Sequence, residues 1–177
     1  MTLTAPVRTP PGNPSTRTTS MATNAARPYT GTLVPISEQE LILHNERREI
    51  SLLLAAEHLS LTHGSCAPGE RVASRHIHRQ HTDAFYVLEG ELTFEIGTGP
   101  ETVKIGAGSL VAAPAGVAHA LRNAGRQRAR WLTIHAADGG FADFMRGLRD
   151  GVQIDWDIAP VPADGGLPAD RAIISRD

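Results

Sequence analysis

The chain has 177 residues, of which 41% are hydrophobic and 20% are charged. This length suffices for one globular domain with a hydrophobic core and leaves little for a second domain. The formal net charge is −2 and the basic residues are scattered along the chain, so nothing indicates a nucleic-acid partner. No apolar run reaches the length of a membrane span, and we expect no membrane partner.

Residues 1–30 differ in composition from the rest of the chain. They contain threonine, proline and arginine but no Asp or Glu, and no apolar stretch typical of a signal peptide. Their prolines are incompatible with the amphipathic helix of an organellar transit peptide. We therefore predict a disordered extension over 1–30. Cys66 is the single cysteine, which excludes an internal disulfide and favours a cytoplasmic location.

Residues 31–150 are predicted to form a β-barrel domain. Turn residues separate the segments that are typical of short strands: ISLLLAA, HLSLTHGS, AFYVLEG, ELTFEIG, TVKIG, SLVAAP, AHALRN and WLTIHA. In ELTFEIG, Leu92, Phe94 and Ile96 share one face, which is the period of a half-buried strand. The stretch around 37–46 stays ambiguous, because SEQE resembles a capping box but no clean apolar stripe follows it.

One segment has a helical period. Phe141, Phe144, Met145 and Leu148 are spaced i, i+3, i+4 and i+7, which predicts a packing helix at about 141–149.

The remaining residues, 151–177, lack a sustained periodicity and are predicted to form an extended C-terminal tail. Ile154, Trp156 and Ile158 alternate, however, and could attach the start of this tail to the body of the protein.

The most informative pattern is a group of histidines and one carboxylate. His76 and His78 lie two residues apart, which places both imidazoles on one face of a strand. Asp83 follows closely, and His119 lies further on in PAGVAHALRN. Three nitrogens and one carboxylate oxygen are a ligand set suited to a divalent transition metal in an open site. Taken alone, an HxH pair is also compatible with hydrogen-bonded core histidines.

Two short motifs resemble those of the cupin superfamily. The first, usually written G(X)5HXH(X)3-4E(X)6G, is matched in GERVASRHIHRQHTDAFYVLEG by Gly69, His76, His78, Asp83 and Gly90. The second, G(X)5PXG(X)2H(X)3N, is matched without a gap by Gly108, Pro114, Gly116, His119 and Asn123. Over about 45–150 the chain is similar to the small single-domain bacterial cupins called quercetin-dioxygenase-like.

This resemblance implies an all-β fold, a double-stranded β-helix or jelly-roll barrel with a short C-terminal helix. It also implies one divalent transition metal per chain held by His76, His78, Asp83 and His119, with Fe(II) favoured and Mn, Ni, Co or Zn as alternatives. The implied activity is that of a dioxygenase acting on a small enolic or phenolic compound. A non-redox isomerase, lyase or cyclase, and a small-ligand-binding protein without turnover, stay open because fold does not determine chemistry.

The sequence departs from the first motif at two places. Six residues instead of five separate Gly69 from His76, a change that a loop accommodates at small cost. Asp83 stands where the family usually has Glu and is shorter by one methylene, which makes His81 the alternative fourth ligand.

The same pattern suggests further site residues. Phe85 and Val87 share strand parity with Asp83, and together with Leu121 they are predicted to line a substrate pocket. His81 and His135 are the candidates for proton transfer, although His135 could equally be an ordinary histidine at a strand end.

The expected partners are a small-molecule substrate and a second copy of the chain. A homodimer is expected, because the strand ISLLLAA is apolar. The resemblance also implies one, since family members commonly pair through such a sheet.

Overall fold

The structure is a computed structural model that describes residue 35, residues 38–99 and 101–168, and the backbone of residues 173–175. The predicted N-terminal extension over 1–30 lies outside these residues. In the part that is described, antiparallel strands dominate and one helix follows the last strand of the barrel.

Eleven strands and one helix succeed one another in the described residues. They are β1 (Glu40–His44), β2 (Arg48–Ala56), β3 (Leu59–Cys66), β4 (Arg71–His76), β5 (Thr82–Glu89), β6 (Glu91–Ile96), β7 (Thr102–Gly106), β8 (Leu110–Ala113), β9 (His119–Arg122), β10 (Ala129–Ala136), α1 (Phe141–Asp150) and β11 (Ile173–Ser175).

The strands form two sheets that enclose the main hydrophobic core. A seven-stranded sheet has the order β1-β2-β3-β10-β5-β8-β11, and a four-stranded sheet has the order β4-β9-β6-β7. Val87 and Trp131 of the larger sheet and Leu92 and Phe94 of the smaller one are 2% exposed or less and belong to one core cluster. The predicted all-β, double-stranded β-helix class is thereby confirmed.

The stretch that the sequence left ambiguous is a strand. β1 pairs antiparallel with β2 and extends the larger sheet at its edge. Ile42 of β1 is 6% exposed and packs with Leu52 of β2 and with Phe141 and Met145 of the helix. Apolar burial against the helix therefore decides the conformation here, and the apparent capping box does not start a helix.

The predicted packing helix is confirmed as α1. Phe141 and Met145 are buried as their spacing requires, whereas Leu148 on the predicted face is 60% exposed. Arg146 and Arg149 of the helix both donate to the carboxylate of Glu40 in β1, at 2.8 Å (Arg146 Nη2) and 2.7 Å (Arg149 Nη1). Salt bridges thus fasten the helix to the edge of the larger sheet.

The residues after the helix follow the surface of the barrel. The main chains of Ile77 and Ala159 exchange two hydrogen bonds of 3.0 Å each, and Leu167 N donates to Gly116 O at 2.9 Å. Further on, the backbone of β11 pairs antiparallel with β8. The segment predicted as an extended tail thus contacts the larger sheet and the connections that precede β5 and β9. No helix among the described residues combines the length and the apolarity needed to cross a membrane.

Candidate metal centre

The two sheets bring the four predicted ligand residues together. His76 ends β4 and is paired in register with His119, the first residue of the neighbouring strand β9. Asp83 lies on β5 in the other sheet, and His78 lies in the connection between β4 and β5. A cluster contributed by three strands and one loop is therefore formed between the sheets at one end of the core.

The ligand atoms of this cluster lie at metal-binding spacing. His78 Nε2 is 3.1 Å from Asp83 Oδ2, and His119 Nε2 is 3.4 Å from the same oxygen. His76 Nε2 is 3.1 Å from His78 Nε2. One ligand atom from each of the four residues lies within 4.8 Å of all the others. Ligands at about 2.0 to 2.2 Å from one ion are separated by about 3 Å, so this His/Asp cluster could hold a metal.

The outer nitrogens of the three histidines are fixed by backbone carbonyls. His76 Nδ1 donates to Ser74 O at 2.6 Å, His119 Nδ1 donates to Val117 O at 3.1 Å, and His78 Nδ1 donates to Asp157 O. These hydrogen bonds select the tautomer whose Nε2 lone pair faces the centre of the cluster. The buried His119 Nε2 has no hydrogen-bond partner among the described residues, as expected for an atom whose partner is a cation.

The electrostatics of the cluster favour a neutral His76 beside an ionised Asp83. Burial, with His119 close by, lowers the pKa of His76 to about 4. Burial opposes the ionisation of Asp83, but His135, His119 and His78 outweigh it and hold the pKa of Asp83 well below its usual value. Neutral nitrogens and one anionic oxygen are the protonation states that metal binding requires.

Asp83 and His81, the two candidates for the fourth ligand, differ in position relative to the three histidines, and His81 also belongs to two further groups that could hold an ion, with His78 and Asp157 and with Asp83 and His135. Asp83 Oδ2 faces the three histidines, whereas His81 Nε2 faces the other oxygen, Asp83 Oδ1, at 3.2 Å. His81 Nδ1 is 3.1 Å from Asp157 Oδ2. The ring of His81 therefore lies between two carboxylates, and it does not line the cavity described below.

His135, the second predicted proton-transfer residue, lies at the cavity wall. It is 3% exposed, and its Nε2 is 3.3 Å from Asp83 Oδ1. The ring stacks on Phe141 with a centroid separation of 3.5 Å. The pKa of His135 is lowered, because the effect of burial exceeds the opposite effect of the nearby Asp83. The buried Nδ1 of His135 has no hydrogen-bond partner among the described residues.

A cavity of about 370 Å³ opens beside the cluster. Phe85 and Leu121 line it, as the sequence analysis expected. Val87, expected there as well, is fully buried in the hydrophobic core and does not line the cavity. Val87 has the same strand parity as Phe85, but it lies two residues further along β5 and outside the cavity wall.

Aromatic side chains that the sequence analysis did not assign to the pocket make up much of its wall. They are Trp131, Phe141, Phe144 and Trp156. Trp156 packs against the rings of His78 and His81, each at a centroid distance of 4.8 Å. The alternation of Ile154, Trp156 and Ile158 was the one sequence signal that this segment attaches to the body of the protein.

The two arginines of the cavity wall are already paired. Arg48 Nη2 lies 3.3 Å from a carboxylate oxygen of Glu70, and Arg149 Nη1 lies 2.7 Å from a carboxylate oxygen of Glu40. Their charges are therefore compensated by protein carboxylates, and the cavity offers a ligand mainly apolar and aromatic surface.

Comparison with known families agrees with this architecture. Residues 63–135 match the family model described as a cupin domain, a stretch that contains the whole His/Asp cluster. No curated protein matches the sequence. This match over residues 63–135 agrees with the cupin resemblance that the two motifs predicted.

Solved structures share the fold at low sequence identity. KdgF from Halomonas sp. has a TM-score of 0.54 at 16% identity, with 61% of this chain and 94% of that chain covered. A double-stranded β-helix protein from Klebsiella pneumoniae has a TM-score of 0.51 at 21% identity, with 61% and 91% covered. The polyketide cyclase RemF from Streptomyces resistomycificus has a TM-score of 0.51 at 20% identity, with 60% and 80% covered. The finer resemblance to quercetin-dioxygenase-like cupins gains no support from these matches.

Proposed function

We propose that this protein is a metal-dependent dioxygenase acting on a small phenolic or enolic compound. The observation that carries the proposal is a preorganised cluster of three imidazoles and one carboxylate beside an apolar, aromatic cavity. One divalent ion per chain, with Fe(II) favoured, would be held by His76, His78, Asp83 and His119. Such an ion would polarise a ligand oxygen and, as Fe(II), supply electrons to dioxygen.

The cavity supports a planar substrate without a net charge. Its volume of about 370 Å³ lies near the lower end of the usual range for small-molecule sites, about 300 to 1,000 Å³. Trp131, Phe141 and Trp156 offer faces for a flat ring, while the arginines of the wall are paired. An oxygen substituent of that ring would be directed toward the histidine cluster.

The residues around the cluster have separate roles in this proposal. His135 lines the cavity next to Asp83 and would hold or accept the proton of the phenol or enol. Phe85 and Leu121 would exclude water from the reacting face of the ligand. Exclusion of water strengthens every electrostatic interaction within the site.

The test is oxygen consumption by the protein loaded anaerobically with Fe(II). Uncharged phenols and enolic diketones would be compared with carboxylated analogues of the same ring size. We expect oxygen uptake that requires both Fe(II) and one of the uncharged compounds, and that is lost in His119→Ala. No uptake with any compound would contradict the dioxygenase proposal.

A non-redox metalloenzyme is the second candidate, favoured by the position of His135. Its ring is buried at the cavity wall with Nδ1 free of protein partners among the described residues, as a general base requires. Turnover under argon with Zn(II) or Mn(II), abolished in His135→Ala, would support this candidate over the dioxygenase. Ligand binding that survives replacement of all three cluster histidines would instead indicate a binding protein without turnover.

A further inference from the structure

Asp157, in the segment after the helix, binds the loop that carries two of the histidines. Its carboxylate accepts hydrogen bonds from Arg79 N at 2.9 Å and from Gln80 N at 2.7 Å. These amides lie between His78 and His81. A side chain 77 residues away from Gln80 in the sequence therefore fixes the conformation of the loop.

Asp157 also contacts the rings at both ends of this loop. Its main-chain oxygen accepts from His78 Nδ1, and its carboxylate oxygen Oδ2 lies 3.1 Å from His81 Nδ1. The hydrogen bond to the main-chain carbonyl orients His78, one of the candidate ligands. The hydrogen bond to the carboxylate orients His81, which lies outside the four-residue cluster.

His81 also contacts Asp83. Its Nε2 is 3.2 Å from Asp83 Oδ1, and its side chain is 2% exposed. His81 Nε2 and His135 Nε2 both lie within ion-pair distance of Asp83 Oδ1, at 3.2 and 3.3 Å, while Oδ2 faces His78 and His119. A contact chain thus runs from Asp157 through His81 to the carboxylate of the cluster.

The short side chain of Asp83 gives a physical reason for these contacts. Aspartate has one methylene fewer than the glutamate usual at this motif position, so its carboxylate reaches less far from the strand. Ion-pair contacts to Oδ1 from His81 and His135 favour the orientation in which Oδ2 lies 3.1 Å from His78 Nε2. Partners in the outer shell of a metal site typically contribute about 10 to 100-fold in affinity.

The segment that carries Asp157 is anchored independently of the cluster. Ala159 forms a two-way main-chain bridge with Ile77, and Trp156 stacks on Phe144 at a centroid distance of 5.1 Å. Removal of the Asp157 carboxylate therefore leaves these attachments in place.

We propose that Asp157 and His81 are positioning residues that hold Asp83 in the metal cluster. This inference rests on the metal site of the proposed function. It gives His81 a role different from the proton transfer expected from the sequence, because its two ring nitrogens face carboxylates and its side chain does not line the cavity.

The test is the affinity of the protein for Co(II), measured for the wild type and five variants. We expect Asp157→Ala and His81→Ala each to bind about 10 to 100-fold more weakly. The double variant should bind no more weakly than the weaker single variant, because both residues act through one chain of contacts. Asp155→Ala, which removes an exposed carboxylate from the same segment, should bind like the wild type.

A second readout distinguishes positioning from a general loss of structure. The visible absorption of the Co(II)-loaded protein should change in Asp157→Ala and His81→Ala but not in Asp155→Ala, because the carboxylate donor moves. Asp157→Asn keeps an acceptor oxygen for the loop amides, so it should fold and bind more tightly than Asp157→Ala.

Three results would overturn the inference. They are unchanged affinity in both single variants, additive losses in the double variant, and a loss that simply follows unfolding of the metal-free variants. Failure of the wild type to bind Co(II) would overturn the proposed metal site as well, so the two failures are distinguishable.

Discussion

The two motif regions that meet at the cluster differ in how their side chains are held. In the second region, His119 is oriented by the carbonyl of Val117, two residues away, and the turn after β9 is held by the Asn123 side chain, which accepts from Gly125 N at 3.0 Å. In the first region, His78 and His81 are oriented by Asp157, which is 79 and 76 residues away. The support of the His119 ring is thus local, whereas the rings of His78 and His81 depend on a distant segment.

The first region is also hydrogen-bonded to the second. Gly116 N donates to His78 O at 2.6 Å, which connects the turn before β9 to the loop before β5. Gly116 has a φ of 83°, a conformation that favours glycine. This difference predicts that substitution of His119 acts mainly through the lost side chain, while His78 and His81 also respond to changes at Asp157.

The largest expected effect is the loss of His119. His119→Ala removes the one nitrogen that the second motif region contributes to the cluster among the described residues. Divalent metal affinity should fall by more than the ~100-fold typical of an outer-shell change. Titration with Co(II) measures this, with His58→Ala as control because the side chain of His58 is 86% exposed. Similar affinities in the two variants would contradict the account.

Substitution of Asp83 sharpens the comparison, because its length can be changed. Asp83→Ala removes the anionic donor and should lower metal affinity more than His81→Ala does. Asp83→Glu restores the usual motif length and should keep much of the affinity, since one carboxylate oxygen still reaches the histidines. An Asp83→Ala variant that binds metal like the wild type would assign the fourth position to another residue. Equilibrium titrations of the three variants decide the order.

The pH dependence of stability is a smaller effect in the metal-free protein. Burial, with His119 nearby, lowers the pKa of His76 to about 4, whereas an unfolded histidine titrates near pH ~6.5. Between these values the unfolded chain binds more protons than the folded chain, so the free energy of unfolding falls as the pH drops through this window. The lowered pKa of Asp83 keeps that carboxylate ionised across the window, and its contribution is lost only at lower pH.

Thermal unfolding of the metal-free protein between pH 7 and pH 4 measures this slope. We expect His76→Ala to show a shallower decrease in melting temperature than the wild type. Part of the slope should persist, because burial also lowers the pKa of His135. Parallel curves for the two proteins would show that His76 does not titrate as the structure indicates.

Local patterns in the sequence predicted the barrel and the four clustered residues. The HxH spacing, the gapless second motif and the strand parity of Asp83 are all short-range signals, and the structure places these residues together. Parity also assigned Val87 to the correct face of its strand. It carried no information on depth along the barrel, which is why Val87 proved to be in the core and not in the cavity wall.

Contacts between distant segments left no comparable signal. β1 is recognisable as a strand only through its burial against the helix, and Asp157 lies in a segment whose alternation indicated attachment without indicating where. A single aspartate after a tryptophan has no periodicity or motif of its own. Its contacts with the loop at 79–81 arise only when the chain returns to the barrel.

The most direct test of the account is the metal content of protein purified without a histidine tag and reconstituted with a divalent first-row metal. Elemental analysis should find about one equivalent of metal per chain. A variant lacking His76, His78 and His119 should retain almost none, because the metal is bound by these side chains in the folded protein. Well under half an equivalent in the wild type, or an equal content in the triple variant, would contradict the assignment of the cluster as a metal centre.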